Sequence, residues 1–252
     1  MYNIITATWG HGDGYAIQST NLFRSYCKYH GYEKFRHFHF NRGHQGQKEH
    51  EYNVKMGTQS EYILYKIDLL REKVAALDAK YVIFCDANDV TCCGNIEHIF
   101  DMFDLDNTIV FSAERNDWPK NYMTAKWPGY RDYSKWDRDN RMFLNSGVQL
   151  AKKENYLYLL NACMKEIEVN NLQEHGGDQG IFTWHYNMNN NPRIQLDYAN
   201  LLSLSTYDSN IEDYYKLGNR IYSKKYGTSP LFVHDSGSNY GGQKFAEKFN
   251  LN

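Results

Sequence analysis

The feature that most constrains the fold is a short apolar run that ends in two carboxylates. The run is Tyr81–Cys85, and Asp86 and Asp89 follow it directly. A continuously apolar run of this length, β-branched in its middle, is typical of a central parallel strand that is buried on both faces. In open α/β sheets, ligands bind outside the carboxyl ends of the strands. The sequence therefore predicts two acids at the position where such a sheet binds its ligand.

The two acids allow two interpretations. Three residues apart in a tight turn, Asp86 and Asp89 can converge on one hard divalent cation. Mg²⁺ and Mn²⁺ take oxygen ligands and commonly bridge to substrate phosphates. Alternatively, Asp86 caps the turn and Asp89 caps the helical segment that follows. The local sequence leaves both interpretations open.

Composition indicates a globular protein, and the length suits a single domain, which we expect over residues 1–252. The formal charge of −2 gives no general attraction to nucleic acid or to an anionic membrane. No apolar run approaches the ~20 residues that span a bilayer, and the first residues predict a strand rather than a signal peptide. The 5 cysteines are odd in number, which argues against a disulfide framework. These features together predict a cytoplasmic protein.

Hydrophobic periodicity predicts several further strands and helices. Lys66 falls in one helix and is a solvated lysine unless it faces the site. Asp178 opens another helix, where it is either the N-cap or a catalytic group, and the last strand delivers His234 into a turn of small residues. Strands are expected at 2–8, 34–40, 81–85, 108–114, 143–150, 193–197 and 230–233, and helices at 15–30, 62–74, 154–169 and 178–184.

Taken in order, these segments resemble one family, the glycosyltransferase domain of the collagen lysyl hydroxylases with the related procollagen galactosyltransferases. The resemblance runs over nearly the whole chain and implies a type A glycosyltransferase fold, an α/β domain whose mostly parallel, Rossmann-like central sheet is flanked by helices. The matching segments are Thr6–Thr8, the DxxD motif of Asp86 and Asp89, 111–114, Trp118–Pro119, the Leu-Asn-Ser-Gly of 144–147, Asp178–Gln179, 195–197 and 234–237.

The resemblance also implies a reaction. The enzyme would move a sugar, glucose or galactose, from a UDP-sugar to a hydroxyl acceptor with the help of Mn²⁺ or Mg²⁺. Asp86, Asp89 and His234 would bind the metal, and Asp178 would stabilise the oxocarbenium-like sugar or activate the acceptor hydroxyl. Because His234 must be neutral to bind metal, we expect the metal affinity to fall below about pH 6.

The same resemblance assigns the donor site. Thr6 and Thr8 would line the nucleotide pocket, and Trp118 would lie near its mouth. Asn145 and Ser146 would face the sugar or the acceptor. The remaining residues of the expected donor site are Lys66 and Gly237.

Three positions depart from the family's pattern. The turn between the two acids holds Ala87 and Asn88, where the family often has an aromatic residue, so base stacking must come from elsewhere. Gly177 stands where the family has an acid, which leaves Asp178 as the candidate there. Ser236 replaces the family's Asn in the last turn.

The acceptor and the activity itself leave alternatives. The acceptor is a glycan, a protein or a modified nucleic acid. A viral-type DNA glycosyltransferase acting on a hydroxylated base would use the basic and aromatic residues of 120–141 and 216–226. The other alternative is a non-catalytic protein that binds a nucleotide sugar.

Overall fold

A computed structural model describes residues 1–10, 21–41, 61–115, 143–170, 177–188, 192–207, 209–218, 220–236, 245 and 247–250. Its strands are β1 (Tyr2–Gly10), β2 (Phe35–Asn41), β3 (Tyr81–Cys85), β4 (Val90–Cys92), β5 (Thr108–Glu114), β6 (Phe143–Lys152), β7 (Arg193–Asp197), β8 (Ser203–Ser205), β9 (Tyr214–Leu217), β10 (Arg220–Ser223) and β11 (Phe232–His234). Its helices are α1 (Asn21–Cys27), α2 (Glu61–Ala75), α3 (Lys153–Asn170) and α4 (Gly177–Met188), and 3-10 turns lie at Tyr32–Lys34, Glu97–Asp101 and Ile211–Asp213.

Six strands form the central sheet in the order β2-β1-β3-β6-β5-β7. β6 is antiparallel to both of its neighbours, β3 and β5, whereas the other neighbouring pairs are parallel. Parallel neighbours need a crossover connection, and helices commonly supply it. The mostly parallel α/β sheet expected from the sequence is therefore confirmed, with one strand reversed.

β3 is buried on both faces, as its continuous apolar sequence predicts. Val82 and Phe84 point into the core cluster that α2, α3 and α4 share with the sheet. Ile83 and Cys85 alternate with them and point into a second cluster, which includes residues of α1. All four are at most 1% exposed. Because successive side chains of a strand face opposite sides, β3 joins the two cores and holds the turn that follows it.

A second, three-stranded sheet lies beside this turn, in the order β4-β11-β8. β11 pairs antiparallel with β4 and parallel with β8. β4 was not predicted, because its three residues are too few to show a periodic pattern. The helical segment expected after Asp89 is the 3-10 turn Glu97–Asp101, and β4 lies between this turn and Asp89.

Other boundaries differ modestly from the predictions. β6 continues to Lys152, two residues beyond the predicted end, and the register of its pairing with β5 shifts between Phe111 and Ser112. β1 continues to Gly10, and the described part of the first helix begins at Asn21. Within the described ranges, no helix is long and apolar enough to cross a membrane.

Candidate active site

Three potential metal ligands meet at the carboxyl end of β3. Asp86 follows the last residue of β3, and Asp89 precedes β4 directly. His234 ends β11 and pairs with Val90 of β4, so strand pairing brings it beside the acidic turn. The backbone N–H of Asp235 donates to the carbonyl of Asp89 at 2.8 Å and fastens the two segments together.

The ligand atoms of these residues converge. One ligand atom from each of Asp86, Asp89 and His234 lies within 4.8 Å of the other two. His234 Nε2 is 3.4 Å from Asp89 Oδ2 and 3.8 Å from Asp86 Oδ2. Two carboxylates and one imidazole form a donor set that suits a divalent metal such as Mn²⁺. The residues present therefore fit the metal that the family resemblance implies.

The three ligands line a cavity of about 420 Å³. A volume in this range accommodates a small-molecule ligand. Its wall combines groups from both sheets and from α4. The lining residues are Asp86, Asp89, Glu114, Asn145, Ser146, Gly147, Gln179, Tyr207, His234 and Ser236.

Charge interactions in this group favour a bound proton on His234. Burial disfavours the imidazolium ion, but the hydrogen bond and the negative charge of Asp89, together with the charge of Asp86, raise the pKa of His234 above its usual 6.5. Burial likewise raises the pKa of Asp86, while His234 lowers that of Asp89 against the effect of burial. A metal bound at His234 would have to displace this proton, and its affinity would then begin to fall at a higher pH than the sequence suggested.

Lys66 faces the site rather than solvent. Its ammonium group lies 2.9 Å from Asp178 Oδ2 and 3.4 Å from Asp86 Oδ1, and 4.6 Å from the centre of the Phe84 ring. Only 12% of its side chain is exposed. Burial disfavours the ammonium ion, but the two carboxylates outweigh it and raise the pKa of Lys66 above its usual value. A positive charge therefore stands between the two acids.

Asp178 is the second residue of α4 and contacts both the helix backbone and Lys66. Its Oδ1 accepts a hydrogen bond from the backbone N–H of Gln179 at 2.9 Å, in the first turn of α4, as a helix-terminal acid should. Its Oδ2 faces Lys66 at 2.9 Å. It does not belong to the residues that line the cavity.

A chain of hydrogen bonds connects the strands that flank the cavity. Gln179 Nε2 donates to Glu114 Oε1 at 2.8 Å, and the backbone N–H of Ser146 donates to Gln179 Oε1 at 3.0 Å. Glu114 is only 3% exposed. Glu114 was not among the predicted site residues, although it ends β5, whose carboxyl end lies at the same edge of the sheet as that of β3. This shared edge is the feature from which the sequence could have identified Glu114 as a site residue.

The remaining predicted residues divide into three groups. Ser146 and Asn145 line the cavity. Thr6 is fully buried in β1, and its hydroxyl has no hydrogen-bond partner among the described residues. Trp118, Gly237 and the side chain of Thr8 lie outside the described part of the structure, as does the segment 120–141, whereas most of 216–226 belongs to β9 and β10.

Comparisons with known proteins agree with this architecture. The family model described as the PLOD GT domain matches residues 18–244. Similar solved structures include a glycosyltransferase involved in the glycosylation of the major capsid of PBCV-1, with a TM-score of 0.52 and 12% identity over 99% of this chain and 100% of that one. Another is mouse xyloside xylosyltransferase 1 in its apo form, with a TM-score of 0.54 and 16% identity over 94% of this chain and 98% of that one. No curated protein matches the sequence.

Proposed function

The chain belongs to the PLOD GT domain family and is a glycosyltransferase, and from that premise we propose that it transfers glucose or galactose from a UDP-sugar to a hydroxyl group with the help of a divalent cation. The observation that carries the proposal is the convergence of Asp86, Asp89 and His234, whose ligand atoms lie within 4.8 Å of one another on the wall of the cavity. Such a set suits the cation that a nucleotide-sugar diphosphate needs.

In the proposal, Asp86, Asp89 and His234 hold Mn²⁺ or Mg²⁺. When bound, the cation neutralises the negative charge that develops on the departing diphosphate. The protein contributes the orientation of the ligands. The two carboxylate oxygens of Asp86 face different groups, Oδ1 facing Lys66 and Oδ2 facing His234. Lys66 therefore restrains one oxygen and leaves the other for the cation.

Two carboxylates are available for the acceptor side of the reaction. The acceptor hydroxyl must lose a proton as it attacks, and a positioned carboxylate can take that proton or stabilise the oxocarbenium-like sugar. We assign this role to Asp178, which Lys66 holds from one side and the α4 backbone from the other. Glu114 lines the cavity itself and is the competing candidate.

The test is thermal stabilisation by a panel of nucleotide sugars, each with Mn²⁺ and with chelator. A ligand that binds only the folded state, at ~100 times its dissociation constant, adds roughly 2.7 kcal/mol of stability, which a melting curve resolves readily. We expect a metal-dependent shift with UDP-glucose or UDP-galactose in the wild type. We expect Asp89→Asn to lose the shift and Asp78→Asn, at an exposed position of the chain, to keep it.

Release of UDP distinguishes an enzyme from a binding protein. With Mn²⁺ and a stabilising donor, we expect slow hydrolysis that accelerates when a glycan, protein or hydroxymethylated-DNA acceptor is supplied. Stabilisation without any UDP release would support a non-catalytic nucleotide-sugar-binding protein instead. If no donor stabilises the folded wild type in the presence of metal, the two acids are turn residues only and the proposal is wrong.

A further inference from the structure

We propose that Asn145 is a positioning residue that fixes the tautomer of His234 and thereby leaves His234 Nε2 free to bind the cation. The family resemblance implied that Asn145 faces the sugar or the acceptor. The inference rests on the proposed function in one respect, the role of His234 as a metal ligand. Its other content, the protonation pattern of the imidazole, stands on the contacts of two buried side chains.

The first step identifies the amide atom that faces the ring. Asn145 Oδ1 accepts a hydrogen bond from the backbone N–H of Gly147 at 3.0 Å. A backbone N–H can only donate, so the atom at this position must be the oxygen rather than the NH₂ group. The same oxygen lies 2.9 Å from His234 Nδ1. Because the oxygen can only accept, Nδ1 must carry a hydrogen.

A hydrogen on Nδ1 determines the state of the other ring nitrogen of His234, Nε2. A neutral ring with its hydrogen on Nδ1 has a lone pair on Nε2. His234 Nε2 faces Asp89 Oδ2 at 3.4 Å and Asp86 Oδ2 at 3.8 Å. The lone pair is therefore directed towards the two acids, which is the arrangement that a metal ligand requires. In metal sites the second nitrogen of a histidine commonly donates to a carbonyl or carboxylate oxygen, which sets the ring orientation.

The imidazole ring of His234 also lies very close to the backbone of Gly147. A Cβ atom added to Gly147 would lie 2.0 Å from Cε1, 2.4 Å from Nδ1 and 2.7 Å from Nε2 of His234. The ring therefore packs directly against the backbone of residue 147. The carbonyl of Gly147 also accepts the backbone N–H of Asp86 at 2.9 Å. The segment 145–147 of β6 thus holds the histidine and the first acid in one fixed relation.

Burial makes the amide difficult to replace. Asn145 is 3% exposed and His234 is 4% exposed, so bulk water has little access to the N–H groups that Asn145 satisfies. Without the amide oxygen, two buried N–H groups would lose their partner, and such groups are costly to leave unpaired. The ring would then favour the other tautomer, in which Nε2 donates to Asp89 and its lone pair is no longer available.

The experiment compares two substitutions of one residue. Asn145→Asp keeps an accepting oxygen, whereas Asn145→Leu has a similar size and no acceptor. NMR of ¹⁵N-histidine-labelled protein in chelator reports which ring nitrogen of His234 is protonated, at a pH where titration of the same signals shows a neutral ring. Calorimetry measures Mn²⁺ affinity. Asn161→Leu, at an exposed position of α3, controls for the gain of a leucine.

We expect a hydrogen on Nδ1 in the wild type, in Asn145→Asp and in Asn161→Leu, and a hydrogen on Nε2 in Asn145→Leu. The Mn²⁺ affinity should fall about 10- to 100-fold in Asn145→Leu alone. A wild-type ring protonated on Nε2, or an Asn145→Leu variant with unchanged tautomer and affinity, would overturn the inference. If Asn145→Leu does not fold, Asn145→Asp decides, since loss of the tautomer or of Mn²⁺ affinity there also overturns it.

The two proposals fail in different ways. A folded wild type that has its hydrogen on Nδ1 but binds no Mn²⁺ overturns the proposed cation site, and with it the link from Asn145 to the metal. A wild type that binds Mn²⁺ with its hydrogen on Nε2 retains the cation site and overturns the role of Asn145.

Discussion

The ammonium group of Lys66 lies 2.9 Å from Asp178 Oδ2, although the two residues are 112 positions apart in the chain. Lys66 comes from α2 and Asp178 from the first turn of α4, two helices that pack on the same face of the central sheet. Because the same ammonium group also lies 3.4 Å from Asp86 Oδ1, Lys66 links the proposed catalytic carboxylate to a proposed metal ligand.

Removal of the Lys66 ammonium group should destabilise the protein. In Lys66→Met, Asp178 and Asp86 lose their shared partner in a largely buried position, and breaking a buried pair from one side typically costs about 3 kcal/mol. Urea denaturation in chelator measures the free energy of unfolding. Lys73→Met, at an exposed position of the same helix, is the control.

The double variant Lys66→Met with Asp178→Asn isolates the pair. We expect it to recover part of the lost stability, because one of the two uncompensated charges is gone. If Lys66→Met and Lys73→Met have the same free energy of unfolding, the contact does not contribute to stability. Binding of the donor phosphates would then be the remaining role of Lys66.

A methyl group at residue 147 should displace His234. A Cβ there would lie 2.0 Å from His234 Cε1, so Gly147→Ala must move the ring or the strand. We expect Mn²⁺ affinity to fall more than tenfold and the melting temperature to drop. Gly94→Ala is the matched control, because the only atom that its Cβ would meet among the described residues is Leu231 Cδ2, at an ordinary 3.7 Å. Equal Mn²⁺ affinities in the two variants would contradict the close packing of ring and backbone.

Acid should weaken metal binding and strengthen the metal-free fold. Asp89 and Asp86 outweigh burial and raise the pKa of His234 above 6.5 in the folded state, whereas the unfolded value is about 6.5. The stabilisation from the proton is therefore fully present below about pH 6.5 and is lost as the pH rises through the folded pKa. Mn²⁺ affinity should rise over the same interval, because the metal replaces the proton.

Two titrations check this opposition. Unfolding in chelator and Mn²⁺ calorimetry, each from pH 5.5 to pH 9, should show slopes of opposite sign in the wild type. His234→Gln should flatten both curves, and His98→Gln, at an exposed position, should change neither. A Mn²⁺ affinity independent of pH over this range would mean that His234 is not a ligand.

The two carboxylates near the cavity should differ in their effect on turnover. General acid–base catalysis contributes about 10²- to 10⁴-fold, so Asp178→Asn should lower kcat by that order and leave the dissociation constant of the donor nearly unchanged. Glu114→Gln keeps a hydrogen-bonding group beside Gln179 and should affect kcat less. The reverse ranking would transfer the catalytic role to Glu114.

The most local part of the site was predictable. Asp86 and Asp89 follow a five-residue apolar strand, and the short run fixes both the strand and the end at which the acids emerge. The strands β5 and β7 were likewise predicted with their observed boundaries. In these segments the apolar pattern alone determines the local structure.

Contacts between distant segments were less accessible. His234 entered the metal set by family resemblance, and the reason for its position is the pairing of β11 with β4, a three-residue strand with no pattern of its own. Glu114 was missed because its partner, Gln179, is 65 residues away. Asn145 was expected to face the sugar or acceptor, and its contact with His234 spans 89 residues.

The sequence by itself determined the class of sheet, its central strand and two acids at the ligand-binding edge, because strand periodicity and chain order act over a few residues. Only the tertiary structure decided that Lys66 faces two carboxylates, that β6 is reversed and that Asn145 and Gly147 support the histidine. Those relations depend on which distant segments pack together. Packing is a property of the whole core, so no single stretch of the chain encodes it.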